Sequence, residues 1–160
     1  MLPRTVAVLG AGQMGGGIAH VIAKTAKLNV ILYDKSEAQL GKQKDYIHSG
    51  LMKLVNKNEL DSREKEIIMS RITTTTQISS VGQAQFCVEA VPEDIEIKKA
   101  IIQSVNDLSI DDLTFASNTS SIPITKLASM YRSPERFIGM HFMNPGNNHN
   151  DFALPLTHGM

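Results

Sequence analysis

The sequence has a single cysteine, Cys87, and no apolar run that approaches the ~20 residues needed to cross a membrane. One cysteine excludes a disulfide within the chain and is typical of a reducing compartment. Cys87 lies between Phe86 and Val88, so we expect a buried, unreactive thiol rather than a nucleophile. The first predicted strand begins by Thr5, which leaves no room for a presequence, and we therefore expect a cytoplasmic protein.

The sequence also lacks an excess of charge of either sign. Lysine and arginine number 16, aspartate and glutamate also number 16, and the formal net charge is +0 at pH 7. No net field favours a nucleic acid or a membrane surface, and we expect neither as a partner. At 160 residues the chain is long enough to bury a substantial core and fits one domain of common size.

What the sequence does contain is a glycine-rich turn close to its start. An apolar run, Val6-Ala7-Val8-Leu9, leads into Gly10-Ala11-Gly12-Gln13-Met14-Gly15 and then into apolar residues at helical spacing. The pattern Gly-x-Gly-x-x-Gly between a strand and a helix is typical of a dinucleotide cradle. Gly10 allows the tight turn, Gly12 lets a pyrophosphate approach the backbone, and Gly15 lets the helix pack close to the sheet. Three glycines also suit an ordinary turn between a strand and a helix.

A second apolar run supports the dinucleotide interpretation. Asn29–Tyr33 ends in Asp34, about twenty residues after the last glycine, where an acid that binds ribose hydroxyls is expected. A carboxylate there accepts hydrogen bonds from the ribose and repels a 2′-phosphate, which favours NAD over NADP, although the neighbouring Lys35 weakens that preference. Gly16 and Gly17 add support, because each glycine inside a helix costs about 1 kcal/mol relative to alanine.

Two helices are predicted between Asp34 and the next strand. Ser36 can cap a helix that runs to about residue 57, with apolar residues at spacings typical of a helix. A turn over 56–61 leads into a second helix over 62–71, so the pattern predicts a helical hairpin that is longer than a minimal crossover. The hairpin region carries lysines that form either a solvated face or an anion-binding surface: Lys35, Lys42, Lys44, Lys53 and Lys57.

Strands and helices alternate over the rest of the chain. We expect strands at 72–76, 86–91, 113–116 and 136–140, the first of them a plausible exposed edge, and helices over 94–108 and 121–130. Pro92 ends the strand over 86–91, and Ser121 is the expected cap of the last helix. The helix over 94–108 places its apolar residues on one stripe: Ile97, Ile101, Val105 and Leu108.

This order of elements predicts the fold class, an α/β, Rossmann-like, doubly wound and mostly parallel sheet with a helical hairpin insertion. Ligands of such folds bind outside the carboxyl ends of the strands. The glycine turn, Asp34, Glu93, the turn over 117–120 and His141 all follow strands. We therefore expect these polar groups along one edge of the sheet.

His141 is the residue of this set that could act as a general base, because histidine exchanges a proton near neutral pH. A lone histidine beside an apolar run is more often structural. The turn Ser117-Asn118-Thr119-Ser120-Ser121 offers hydroxyl and amide groups that could orient a substrate alcohol or ketone, or could serve only as a helix cap. The sequence predicts no metal site.

Four segments together resemble the NAD-binding domain of the L-3-hydroxyacyl-CoA dehydrogenases, a family that includes 3-hydroxybutyryl-CoA dehydrogenases. They are residues 6–15, Val88-Glu89-Ala90-Val91-Pro92-Glu93, Ala116-Ser117-Asn118-Thr119-Ser120-Ser121 and His141-Phe142-Met143-Asn144-Pro145. The resemblance covers almost the whole chain up to Pro145. It implies NAD-dependent oxidation of L-3-hydroxyacyl-CoA to 3-ketoacyl-CoA, in fatty-acid β-oxidation or butanoate metabolism, with NAD as the cofactor and an acyl-CoA as the substrate.

The resemblance also implies roles for individual residues. His141 would take the proton from the substrate 3-hydroxyl, Ser120 would hydrogen-bond the reacting oxygen, and Asn144 would lie near the nicotinamide and the substrate. The residues implied for cofactor binding are Gly10, Gly12, Gln13, Met14, Gly15, Asp34, Glu93, Lys98, Ser120 and Asn144. Lys57 and Ser120 are implied for substrate binding, since Lys57 matches a lysine that contacts coenzyme A. Gly50 stands where relatives often present a serine to the same ligand.

Two departures from the family pattern bear on the expected activity. Ala153 occupies the place of a glutamate that pairs with the histidine in the family, with Asp151 nearby. We expect an NAD-binding domain over 1–145 and a divergent tail over 146–160, as in a truncated chain that lacks the family's helical C-terminal domain and its dimer contact. Losing the orienting carboxylate can cost several orders of magnitude in rate. The alternative is an NAD(H)-binding module without turnover; a dehydrogenase of small hydroxy acids that uses a catalytic lysine fits the sequence less well.

Overall fold

In the computed structural model, which describes residues 3–142, six parallel strands form one sheet in the order β3-β2-β1-β4-β5-β6. The strands are β1 Thr5–Leu9, β2 Asn29–Tyr33, β3 Ile72–Thr75, β4 Phe86–Glu89, β5 Thr114–Asn118 and β6 Phe137–Met140. This strand order is that of a doubly wound dinucleotide-binding sheet. The predicted fold class is confirmed, and the threonine-rich strand β3 lies at an edge of the sheet as expected.

Five α-helices connect the strands: α1 Gln13–Val21, α2 Glu37–Asn56, α3 Ser62–Ser70, α4 Ile95–Asn106 and α5 Ile124–Ala128. Helix α1 continues into a π-helical turn, Ile22–Ala26, and short 3-10 turns occur at Ile78–Gln83 and Pro134–Arg136. The predicted hairpin is present as α2 and α3, and the Ser36 side chain accepts a hydrogen bond from the Gln39 amide at the start of α2. Within residues 3–142, no helix combines the length and apolarity that a membrane span requires.

The core consists of two apolar layers, one on each face of the sheet. The first packs α1, α2 and α3 on the sheet, and the second packs α4, α5 and the segment around Val81. Aromatic rings lie together in the second layer, where the centroids of Phe115 and Phe137 are 5.2 Å apart. Cys87 is fully buried there, and burial raises the pKa of its thiol well above the usual range. The prediction of a buried cysteine is confirmed, and the raised pKa disfavours the reactive thiolate.

The predicted apolar stripe of α4 is confirmed at Val105, which is buried, and at Ile101 and Leu108, which pack partly buried against the second layer, and it is wrong at Ile97. Ile97 is 43% exposed, and the buried residues of this helix are Lys98, Ile102 and Val105. Lys98 points into the protein toward a buried carboxylate, while Ile97 and Ile101 line a cavity described below. Lys98 therefore occupies a buried position of α4 that the predicted apolar stripe does not include.

The predicted cap of α5 is also wrong. Pro123 stands at the cap position of this helix, without a side-chain hydrogen bond. The Ser121 hydroxyl donates instead to the Glu93 carboxylate, at 3.0 Å. Ser121 therefore stabilises the loop that precedes α5 rather than the helix itself.

The proposed domain boundary at residue 145 and the tail over 146–160 lie outside the described residues.

Candidate cofactor and active site

The turn between β1 and α1 requires glycine at two positions and leaves space at a third. Gly10 has a φ of +104°, and a Cβ there would come 2.8 Å from the Ala90 carbonyl oxygen. A Cβ on Gly15 would overlap the Gly10 carbonyl oxygen, whereas a Cβ on Gly12 would meet no atom within 4 Å. Gly10 and Gly15 are thus explained by the fold. Gly12 borders open space, as expected where a phosphate group approaches the backbone.

A cavity of about 720 Å³ opens beside this turn, at the carboxyl ends of β1, β2 and β4. Six of the residues predicted for cofactor binding line it: Gly10, Gly12, Gln13, Met14, Asp34 and Glu93. Ile97 and Ile101 of α4 form an apolar wall, and Lys35 lies at the rim. A largely apolar cavity of this size with a few polar groups is typical of a cofactor site.

Asp34 is fixed against the glycine turn by main-chain hydrogen bonds. Its Oδ2 accepts from the Ala11 amide and its Oδ1 from the Ser36 amide, each at 2.9 Å. The Gln39 side chain donates to the Ala11 carbonyl oxygen at 3.0 Å and also lines the cavity. The carboxylate is held at the cavity wall, where it can accept hydrogen bonds from ribose hydroxyls. The sequence analysis did not predict this role of Gln39. The pattern of a helix does not show which of its glutamines contacts a turn 28 residues earlier in the chain.

The Glu93 carboxylate accepts several hydrogen bonds from the loop that follows β5. Its Oε1 accepts from the Thr119 hydroxyl, from the amides of Ser120 and Ser121, each at 3.2 Å, and from the Ser121 hydroxyl. Burial raises the pKa of Glu93, but the hydrogen bonds from Thr119 and Ser121 outweigh this effect and lower it to about 2. Within the described part of the chain, the Ser120 hydroxyl has no protein hydrogen-bond partner. It is therefore the one hydroxyl of this loop that remains available to a ligand among the three at 119–121.

His141 follows β6 directly and is partly exposed. The residues on either side of it are bonded to the loop after β5: the Thr119 amide donates to the Met140 carbonyl oxygen at 3.2 Å, and the Phe142 amide donates to Asn118 Oδ1 at 2.9 Å. The loop carrying Ser120 and the segment carrying His141 are thus joined at neighbouring strand ends. Among residues 3–142, the cavity lining reaches Glu93 and Asn118 on this side and includes neither Ser120 nor His141.

Lys98, predicted to line the cofactor site, is fully buried and does not contribute to the cavity lining among the described residues. Its Nζ donates to both oxygens of Glu89, at 2.8 and 2.9 Å. The sequence analysis assigned no role to Glu89, and the one sign of its importance in the sequence is that it is an acidic residue in an otherwise apolar strand.

Lys57 is exposed at the carboxyl end of α2, away from this cavity. Asn144 lies outside the described residues, and residues 3–142 contain no cluster of side chains suited to a metal.

The strand order, the glycine turn and the fixed aspartate define a dinucleotide-binding α/β domain. The family model described as "3-hydroxyacyl-CoA dehydrogenase, NAD binding domain" matches residues 5–149. The chain belongs to this family, and the cofactor of the domain is NAD.

Individual relatives agree with this assignment. The chain is 41% identical over 138 residues to a probable 3-hydroxybutyryl-CoA dehydrogenase of Deinococcus radiodurans, which covers 86% of this chain and 49% of the relative. It is 40% identical over 146 residues to the fatty acid oxidation complex subunit alpha of Shewanella amazonensis, covering 89% of this chain and 21% of the relative. The crystal structure of (S)-3-hydroxybutyryl-CoA dehydrogenase from Ralstonia eutropha superposes with a TM-score of 0.85 at 38% identity, covering 90% of this chain and 50% of the other. The chain thus spans about half the length, or less, of these relatives.

Proposed function

We propose that this chain interconverts an L-3-hydroxyacyl-CoA and the corresponding 3-ketoacyl-CoA with NAD as the hydride carrier. The observation that carries the proposal is the pair of hydrogen bonds that joins the segment of His141 to the loop of Ser120, at the sheet edge that also bears the glycine turn. A base and a hydroxyl on neighbouring strand ends are what oxidation of a secondary alcohol requires. The family and the names of the relatives support the same reaction class.

The proposed roles follow from the chemistry of each group. The His141 imidazole accepts the proton of the substrate 3-hydroxyl, and the Ser120 hydroxyl hydrogen-bonds the reacting oxygen. A bound NAD would supply the acceptor for the hydride from C3 of the substrate, the chemistry that converts the alcohol to a ketone. The residues that would hold NAD line one cavity: Gly10, Gly12, Gln13, Met14, Asp34 and Glu93. In the reverse direction His141 returns the proton to the oxygen.

Lys57 is proposed to contact the phosphate-rich part of coenzyme A. It is exposed at the end of α2, and an ammonium group there matches an anionic ligand. A Cβ on Gly50, on the same helix, would meet no atom within 4 Å, so the serine found in relatives would fit at this position without repacking. We expect Lys57→Ala to raise the KM for acetoacetyl-CoA without changing NADH binding, and Lys99→Ala, on exposed α4 surface, to change neither.

The direct test is reduction of acetoacetyl-CoA by NADH, followed by the loss of NADH absorbance with the purified chain. We expect His141→Ala to lower kcat by at least about a hundredfold, the usual scale of general acid–base catalysis. Ser120→Ala should lower kcat as well, while Ser129→Ala, whose hydroxyl bonds the Lys126 carbonyl on the surface, should retain wild-type turnover. Activity that survives His141→Ala would reject His141 as the base.

A second candidate function, NAD(H) binding without turnover, is favoured by one specific observation. Alanine stands at position 153, where the resemblance implies the glutamate partner of the histidine. Titration of NADH fluorescence with the chain, followed by addition of acetoacetyl-CoA, separates the two functions. Binding without subsequent NADH oxidation would support the second.

A further inference from the structure

Glu89 and Lys98 form an ion pair with no solvent exposure at the carboxyl end of β4. The carboxylate accepts from Lys98 Nζ with both oxygens, from the Ser117 hydroxyl at 2.6 Å and from the Val91 amide at 2.8 Å. Burying two charges carries a desolvation penalty that their attraction often only balances, so such a pair is weak evidence for a stabilising role. The groups that the pair contacts indicate a role in positioning other residues.

The ammonium group of Lys98 reaches beyond its partner. Nζ also donates to the main-chain carbonyl oxygen of Asn118, at 3.0 Å, and lies 3.5 Å from Glu93 Oε2. Lys98 thus bonds the end of β5 from inside the protein. With its charge paired to Glu89, the ammonium is held at one position, because the carboxylate accepts four hydrogen bonds, two from Lys98 itself and one each from Ser117 and Val91, which leave it no freedom to turn.

Asn118 connects Lys98 to the segment that carries His141, the proposed base. Its carbonyl oxygen accepts from Lys98, and its side-chain Oδ1 accepts from the Phe142 amide, directly after His141. The next residue, Thr119, donates its amide to the Met140 carbonyl oxygen, directly before His141. The main chain of His141 is therefore bonded on both sides to the segment that Lys98 fixes.

We infer that Glu89 is a positioning residue for the reaction: its charge holds Lys98 against the Asn118 carbonyl, and Asn118 in turn holds the main chain of His141. The inference rests on the proposed function, in which His141 is the base. A misplacement of about 1 Å at a reacting group can cost a hundredfold in rate, so loss of the Glu89 charge should be visible in kcat. The adenine half of the cofactor, held by the glycine turn and Asp34, should be unaffected.

The test compares Glu89→Gln, which keeps the size of the side chain, with Asp111→Asn, which removes the exposed partner of Arg132. We expect Glu89→Gln to lower kcat for acetoacetyl-CoA reduction at least tenfold while the Kd for NADH changes less than threefold. Asp111→Asn should change neither. An unchanged kcat, or a loss of NADH affinity that matches the loss of kcat, would overturn the inference.

A double variant and a hydrogen-exchange measurement test the same role of Glu89 if Glu89→Gln does not fold or if turnover cannot be measured. If Glu89→Gln fails to fold, the double variant Glu89→Gln/Lys98→Met removes both buried charges and carries the same comparison of kcat with NADH affinity. Hydrogen exchange of the Phe142 and Thr119 amides reports the position of the His141 segment without any turnover. Faster exchange at these amides in the variant, with unchanged exchange in β1 and β2, supports the inference, and unchanged exchange at both overturns it. A wild-type chain without turnover would contradict the proposed function, while hydrogen exchange would still decide the role of Glu89.

Discussion

The Gln43 side chain of α2 lies on the main chain of α1 at Gly16, so close that a Cβ built on Gly16 would overlap it. Gln43 is 7% exposed, and its buried Nε2 has no hydrogen-bond partner among residues 3–142. One helical turn before it, Gln39 donates to the Ala11 carbonyl oxygen in the glycine turn. The second of three consecutive glycines therefore leaves the space that the Gln43 side chain fills, and this packing places α2 beside the cofactor cavity.

Gly16→Ala should destabilise the protein by less than about 1 kcal/mol, because the cost of displacing Gln43 by overpacking is partly offset by the higher helix propensity of alanine. Combining it with Gln43→Ala should recover most of that loss, which a double-mutant cycle in urea would measure as coupling between the two sites. Gly41→Ala is the matched control: it lies in exposed α2 with no atom within 4 Å of a Cβ, and should gain about 0.5–1 kcal/mol. Additive effects at Gly16 and Gln43 would contradict the packing explanation.

Gly12→Val should fold like the wild type yet bind NADH at least tenfold more weakly. Among residues 3–142, no atom lies within 4 Å of a Cβ at this position, so the added side chain enters the space that the pyrophosphate would occupy. Thermal unfolding and titration of NADH fluorescence check the two halves of the prediction. Gly10→Ala should instead fail in folding, because φ is +104° there and the Ala90 carbonyl oxygen is in the way. Normal NADH binding by Gly12→Val would mean that the cofactor does not cross the turn.

Local signals predicted much of the fold. The strand Asn29–Tyr33 has the expected limits, and Ser36 caps α2, because alternation of elements and capping depend on residues close in sequence. The glycine turn and Asp34 could be assigned to one site since their spacing reflects one strand–helix–strand unit. What these features share is that their partners lie nearby in the chain or follow from the topology of a parallel sheet.

The internal polar network could not be predicted in the same way. Lys98 and Glu89 are bonded across two elements, and the Glu93 carboxylate accepts hydrogen bonds from residues 26 to 28 positions later. Tertiary packing alone determines these partners, and no periodicity marks a lysine that faces inward. The failed prediction at Ile97 and the misassigned cap at Ser121 both result from this network, since Lys98 bonds the buried Glu89 carboxylate and Ser121 bonds the Glu93 carboxylate.

Wild-type protein should bind NADH at least tenfold more tightly than NADPH. The Asp34 carboxylate is fixed by the Ala11 and Ser36 amides at the cavity wall, so it cannot turn away from a 2′-phosphate. Asp34→Asn should narrow the difference, because it removes the repelling charge while leaving Lys35 at the rim. Competition titrations with the two cofactors measure the ratio, and Asp45→Asn, an exposed site on α2, serves as the control. Equal affinities in the wild type would contradict this role of Asp34.

His20 should make the protein less stable in mild acid. It lies in α1, where burial, with a smaller contribution from the charge of Lys24, lowers its pKa from 6.5 to about 4. Its Nε2 has no hydrogen-bond partner within residues 3–142. Below pH 6.5 the unfolded chain binds a proton at this histidine, and the folded chain does not until the pH approaches 4. The unfolded state therefore binds more protons in this window, and the free energy of unfolding falls as the pH decreases through it.

Between pH 7 and pH 5 the loss attributable to His20 should be about 2 kcal/mol. His20→Gln replaces the imidazole by a neutral side chain and should abolish this part of the pH dependence, so that the variant is relatively more stable than the wild type at pH 5. Ser49→Ala, a substitution at an exposed position of α2 that removes no titratable group, should keep the wild-type pH dependence. Urea unfolding of the three proteins at both pH values provides the measurement. If wild type and His20→Gln lose the same free energy on acidification, His20 is protonated in the folded protein and its burial has no part in acid sensitivity.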